Sequence, residues 1–252
     1  MTPPLLTSVQ DGVLSLTLNR PDKRNALNAE LLDLLHQSVE QADLNAEVRV
    51  LVLRGAGKDF CAGADLEELL ASVDRSPQEN EASALRLGTL FGRLRALPKP
   101  VIGMVHGRAL AGGAGLATAC DLIIAAADAQ LGYPEIQRGF APAMVMALLR
   151  RIVGEKIALD LVLTGRVLAA HEAREVGLIS RVVPAQDLER ETQALAAQLA
   201  RASGSALAFT KQLFYQLDGE SLADGIARGA WVNAVARSTP DFRNSIAQFL
   251  RK

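Results

Sequence analysis

Residues 13–18 alternate apolar and polar side chains, the period-two pattern of a half-buried strand. Residues 5–9 pair with it as a hairpin across Asp11-Gly12. Residues 19–25 are a loop by composition. Asn28 then caps a helix running to about residue 42, with Leu31, Leu32, Leu34, Leu35 and Val39 on one side. Residues 48–53 are an almost unbroken apolar run, as expected of a strand covered on both faces. From Glu67 to Glu81 the chain turns polar, either a mobile lid or a plain solvated connector. Apolar side chains at Leu85, Leu87, Leu90, Phe91 and Leu94 predict a helix over 82–97, ended by Pro98 and Pro100. Residues 101–105 are another buried strand, and 122–125 and 130–132 are further short ones.

This alternation of strand and helix predicts an α/β architecture with crossover helices. After Gly139 the pattern is helical over 144–153, 155–163 and 171–176, with one short strand at 181–183. From Asp187 onward only helices follow, over 187–202, 205–216, 221–237 and 239–250. The chain therefore divides near Pro184 into an α/β core, 1–184, and a helical part, 185–252. Phe209, Phe214, Trp231 and Phe249 in the helical part serve either an oligomer interface or packing on its own core.

Composition narrows this picture. A chain of 252 residues with 49% apolar content suits one large domain or a core with a small satellite. The net charge of -1, with no basic stripe, argues against a nucleic-acid partner. Cys61 and Cys120 are too few for a disulfide framework, which reads as reduced thiols and a cytoplasmic setting. Residues 1–12 lack the pattern of a signal peptide. The apolar stretch 116–127 is short and interrupted by Asp121, so no membrane span is expected.

Two glycine-rich segments carry the candidate chemistry: Phe60-Cys61-Ala62-Gly63-Ala64-Asp65 and Ala111-Gly112-Gly113-Ala114-Gly115. Each follows a strand pattern and precedes a helical one, leaving backbone N–H groups without an internal partner. Either alone reads equally well as an ordinary turn. Two such amides converging on one carbonyl oxygen would hold it as it becomes negative. Glu135, in Tyr133-Pro134-Glu135, is the acid that would move a proton beside that carbonyl. Its competing role is a helix cap, and Asp65 reads as a cap just after the first segment. A dinucleotide fingerprint fails at Thr118, where a third glycine is needed, and Asp121 comes too soon for the ribose acid. No serine lies in a G-x-S-x-G context. His36, His106 and His171 lack metal-ligand spacing; the first and last read as surface residues and His106 as structural.

The chain resembles the crotonase, or enoyl-CoA hydratase/isomerase, superfamily. The resemblance is carried by residues 18–28 (L-N-R-P-D-K-R-N-A-L-N), 55–66, 101–121, 134–139 (P-E-I-Q-R-G) and 169–184. It implies a spiral of β-β-α units, a C-terminal helical trimerisation region, and a trimer or a hexamer built from two trimers. It implies coenzyme A thioester substrates and no separate cofactor or metal. By position it makes the N–H groups of Ala64 and Gly112 the oxyanion donors and Glu135 the acid/base. Arg24, Asn25, Ala26, Ala62, Gly63 and Asp65 would line the CoA channel, with Lys211 near the CoA phosphates. Typical hydratases carry a first glutamate where this chain has Gly115. One acid suffices to move a double bond, so Gly115 with Glu135 is similar to the pattern of the family's isomerases. Residues 136–151 look more like bacterial members called hydratases, and a carboxylate near Glu67 or Glu68 would then replace the missing acid. The alternative is a non-catalytic acyl-CoA-binding homologue.

Overall fold

The computed structural model describes residues 2–251. The hairpin forms as expected: β1 (Leu5–Gln10) and β2 (Val13–Leu18) pair antiparallel through Asp11-Gly12. Helix α1 (Ala29–Leu44) starts where the Asn28 side chain accepts from the Leu31 N–H, and β3 (Val50–Gly55) follows. Next come α2 (Leu66–Leu70), α3 (Pro77–Ala96), β4 (Val101–Val105), β5 (Arg108–Leu110) and α4 (Gly112–Thr118). The middle of the chain adds β6 (Leu122–Ala126), β7 (Gln130–Gly132), α5 (Ala143–Ile152), α6 (Glu155–Thr164) and β8 (Val167–Ala169). Helix α7 (Ala170–Glu175), β9 (Arg181–Val183), α8 (Leu188–Arg201), α9 (Gly204–Gln216), α10 (Leu222–Ala236) and α11 (Pro240–Phe249) complete it.

The large sheet runs β1-β2-β3-β4-β6-β9, parallel except for the β1–β2 hairpin. A small sheet, β5-β7-β8, stands beside it, with β5 parallel to β7 and β8 antiparallel to it. Strands β5 and β8 were not expected; each is three residues long and lies against a glycine segment or a helix start. The small sheet matters because it pairs Leu110 with Gly132, bringing the approaches to Gly112 and to Glu135 side by side.

The polar stretch 67–81, read as a lid or a plain connector, holds α2 and the first turns of α3. Ser76 and Glu79 form a reciprocal capping box there, with Pro77 at the first helical position. Those first turns are solvated, so they lack the apolar stripe by which helices are recognised. In the helical part, α8 buries Leu188, Leu195 and Ala196 against the large sheet. By contrast α9, α10 and α11 have no buried residue and expose Phe214, Trp231 and Phe249.

Candidate active site

The first loop is built around Asn25. Its side chain is fully buried and donates through Nδ2 to the carbonyls of Ala56 and Asp59, both at 2.8 Å. Its Oδ1 accepts from the Arg20 N–H at 2.9 Å. Arg24 and Asn25 both have positive φ, 52° and 57°. Asparagine tolerates that region better than most residues, and the three side-chain bonds hold the bend. The side chain of Asn25 is therefore committed to holding this bend. Arg20 reaches across to Asp65 at 2.8 Å and also donates to the Ala26 carbonyl.

This staple aligns the first glycine segment. Leu27 N–H donates to Gly63 O at 2.8 Å, and Asp65 N–H to Leu27 O at 3.0 Å, an isolated parallel bridge between Leu27 and Ala64. Ala62 N–H donates to Arg24 O. The bridge uses the groups on either side of Ala64 and leaves the Ala64 N–H facing the other way. Asp65 accepts from the Glu67 N–H at 3.1 Å and starts α2, as its position as a cap suggested. Burial opposes its ionisation, but the bonds from Arg20 and Glu67 outweigh this and hold the carboxyl below the ordinary range. Burial pushes the neighbouring Cys61 thiol up to about 12, which makes it inert.

The second segment enters α4 through Ala111, at φ 52° and ψ -127°. A non-glycine residue held there is strained. It sets the Gly112 N–H at the start of α4, beside the first loop. A Cβ built on Gly63 would lie 3.3 Å from Gly112 N, and one built on Gly112 would lie 3.8 Å from Ala64 N. The two amides are thus neighbours although they come from distant parts of the chain. Among the described residues neither finds an acceptor. Gly63 is required for this approach: its φ is 99°, and a methyl there would meet the Ala111 Cβ at 2.9 Å.

Glu135 sits on a 3-10 turn, Pro134–Arg138, directly after β7. Tyr133 before it is fully buried, and its hydroxyl bonds Thr118 of α4 at 2.7 Å. Gln137 after it donates to Gly165 O at 3.0 Å. The acid is braced on both sides, yet its own Oε2 is buried without a hydrogen-bond partner. Burial pushes its carboxyl up, against the smaller pull of its own backbone N–H and of Arg138. That places a carboxylate of raised proton affinity in a half-buried position with one oxygen unclaimed.

Other expected positions resolve differently. Lys211 lies inside the molecule, its side chain 8% exposed, with Nζ 2.7 Å from Asp121 and bonded to the carbonyls of Leu94 and Lys99. Its ammonium is fully committed there, which corrects the placement beside the CoA phosphates. Glu67 pairs with Lys23 at 2.5 Å, and Glu68 accepts from the Ala29 N–H at 2.9 Å. Both carboxylates are thus engaged by the first loop and by the start of α1. His106 bonds the Gly57 carbonyl and His36 the Arg86 carbonyl, structural roles for both. Among the described residues no cluster of His, Cys, Asp and Glu is arranged to hold a metal, and no helix is long and apolar enough to cross a membrane.

The family model for enoyl-CoA hydratase/isomerase matches residues 8–252. The chain belongs to that family. A Thermus thermophilus protein whose enoyl-CoA hydratase name is itself an inference is 41% identical over 98% of both chains. The 2,3-dehydroadipyl-CoA hydratase of Escherichia coli is 37% identical, over 98% of this chain and 96% of that one. The crystal structure of an enoyl-CoA hydratase from Mycobacterium smegmatis superposes with a TM-score of 0.94, covering 99% of this chain and 96% of that chain at 32% identity. The crotonase fold is thereby established for this chain.

Proposed function

We propose that the protein is an acyl-CoA enzyme in which the amides of Ala64 and Gly112 hold the thioester oxygen and Glu135 is the acid/base. The observation that carries this is the pair of adjacent, unpartnered amides from two distant loops. Backbone groups around Arg24, Ala26, Ala62, Gly63 and Asp65 line the CoA channel, and no cofactor is needed beyond the CoA of the substrate itself.

The reading continues to double-bond isomerisation. Glu135 takes a proton from C2 of a 3-enoyl-CoA. The C–H electron pair moves onto the thioester oxygen, giving a dienolate. The same carboxylic acid then gives its proton to C4, and the double bond comes to rest between C2 and C3. Stabilisation of the developing oxyanion by each amide is worth about 10²–10³ in rate. Gly115 supports this reading, because water addition draws on a second acid at that position. Hydration of a 2-enoyl-CoA is the second reading, favoured by the hydratase names of the relatives above. There water adds its oxygen to C3 and a proton to C2.

The exposed apolar residues of α9–α11 support a homo-oligomer, a trimer or a hexamer of two trimers, and we place it in the cytoplasm. The decisive experiment assays isomerisation of 3-enoyl-CoA and hydration of 2-enoyl-CoA side by side, with Glu135→Gln in parallel. Wild-type rates for both reactions in that variant would refute the acid assignment. CoA-ester binding with no turnover of either substrate would point to a binding protein.

A further inference from the structure

The wall facing the amide pair comes from α3. A Cβ on Gly112 would stand 3.0 Å from Cδ2 of Leu87. Positions 112 and 115 share a face of α4, one turn apart. A Cβ on Gly115 would stand 2.6 Å from Cζ and 3.0 Å from Cε2 of Phe91, and 3.5 Å from Cγ2 of Val145 on α5. Unstrained carbon contacts lie at about 3.5–4.0 Å. Phe91 is 3% exposed, and α3, α4 and α5 pack against one another around it. It fills the space into which a side chain at 115 would project. The three atoms nearest a Cβ at 115 are all carbon, two of the Phe91 ring and one methyl of Val145. Such a surface gives a water none of the two to four polar partners it requires.

We propose that Phe91 is a specificity-determining residue: its ring stands where a second carboxylate and its water would be, so a proton lifted by Glu135 is returned to the acyl chain. This rests on the single-acid reading above. Gly115 alone does not make the site an isomerase; the ring that covers it excludes the water.

The test uses Phe91→Ala, Gly115→Glu and the double variant. The first readout is the fraction of deuterium carried from C2 to C4 of a C2-deuterated 3-enoyl-CoA. It falls in Phe91→Ala, and in the milder Phe91→Leu, because water reaches the acid and exchanges the label. Unchanged transfer in both overturns the proposal. The second readout is 2-enoyl-CoA hydration. Gly115→Glu alone gains none, whereas the double variant gains on the order of a hundredfold over either single change, the low end for a positioned acid–base group. Equal gain in Gly115→Glu alone, or none in a folded double variant, overturns it. Should the double variant not fold, the deuterium readout decides. Glu135→Gln separates the failures. Full activity there breaks the single-acid reading; lost activity there with unchanged deuterium transfer in Phe91→Ala breaks only the Phe91 assignment. A wild-type enzyme that hydrates without isomerising overturns both.

Discussion

Glu135 and Asp121 are two carboxylates drawn into the same protein, and the fold treats them in opposite ways. Asp121 receives Tyr215 Oη at 2.8 Å on one oxygen, and the Val101 N–H and Lys211 Nζ, both at 2.7 Å, on the other. Glu135 keeps a buried oxygen with no donor at all. Burial pushes both carboxyls up. For Asp121 the charge of Lys211 and the hydrogen bonds pull back. For Glu135 only its own N–H and the field of Arg138 do. A buried acceptor left unsatisfied costs about 1–3 kcal/mol. A satisfied acid joins elements together, here α9 to the core. An unsatisfied one, held between braced neighbours, keeps an oxygen that no other group of the fold has claimed.

The sharpest way to break this contrast is to neutralise each acid. Glu135→Gln should lower turnover by about 10²–10⁴ at little change in KM. Asp121→Asn should leave turnover per folded molecule near wild type and lower the melting temperature instead. Steady-state kinetics and thermal unfolding on both proteins check this, and equal kinetic losses would erase the distinction.

Next in size is Lys211→Met, which strands the Asp121 charge inside the protein. Breaking one partner of a buried pair costs about 3–5 kcal/mol. Denaturant unfolding should show that loss, with part of it restored in Lys211→Met/Asp121→Asn. The KM for CoA esters should stay unchanged in whatever remains folded, because the ammonium serves the fold. A large rise in KM with stability intact would return Lys211 to the CoA phosphates.

A smaller effect sharpens the other half of the site. A methyl at Gly63 would meet the Ala111 Cβ at 2.9 Å and the Leu110 carbonyl at 3.0 Å. Gly63→Ala therefore pushes the two loops apart and spoils the convergence of the amides. Turnover should fall roughly a hundredfold, the size of one lost oxyanion donor.

These contrasts also mark where reading the chain stops working. The hairpin at Asp11-Gly12, the Asn28 cap and the buried strands were legible because each is a local pattern. The turn that carries Glu135 was legible because it follows a strand and a proline. The Ser76–Glu79 capping box was present in the letters and was masked by the solvated turn it begins. The Lys211–Asp121 pair joins residues far apart in the chain, and no local period announces it. Phe91 was readable as an inward-facing helix residue, but its place over Gly115 depends on how three helices stack.

The smallest expected effect is also the one that ties protonation to stability. An ordinary glutamate titrates at about 4.3, and the folded value for Glu135 lies higher because burial disfavours its charge. The native state therefore holds this proton more tightly than the unfolded chain does. Below the unfolded value both states are protonated and there is no penalty. As pH rises from there through the folded value, the native state loses stability relative to the unfolded one, and the deficit persists at neutral pH. Glutamine carries no charge at any pH. Glu135→Gln should thus melt about 1–2 °C higher than wild type near pH 7, a shift typical of a fraction of a kcal/mol in a chain of this size. The gain should vanish near pH 4. Asp121 is raised too, yet its amide variant leaves Lys211 without a counter-charge, so the same scan should show a loss there at neutral pH. A melting gain for Asp121→Asn, or none for Glu135→Gln, would mean that the two acids do not differ in the way their hydrogen bonds imply.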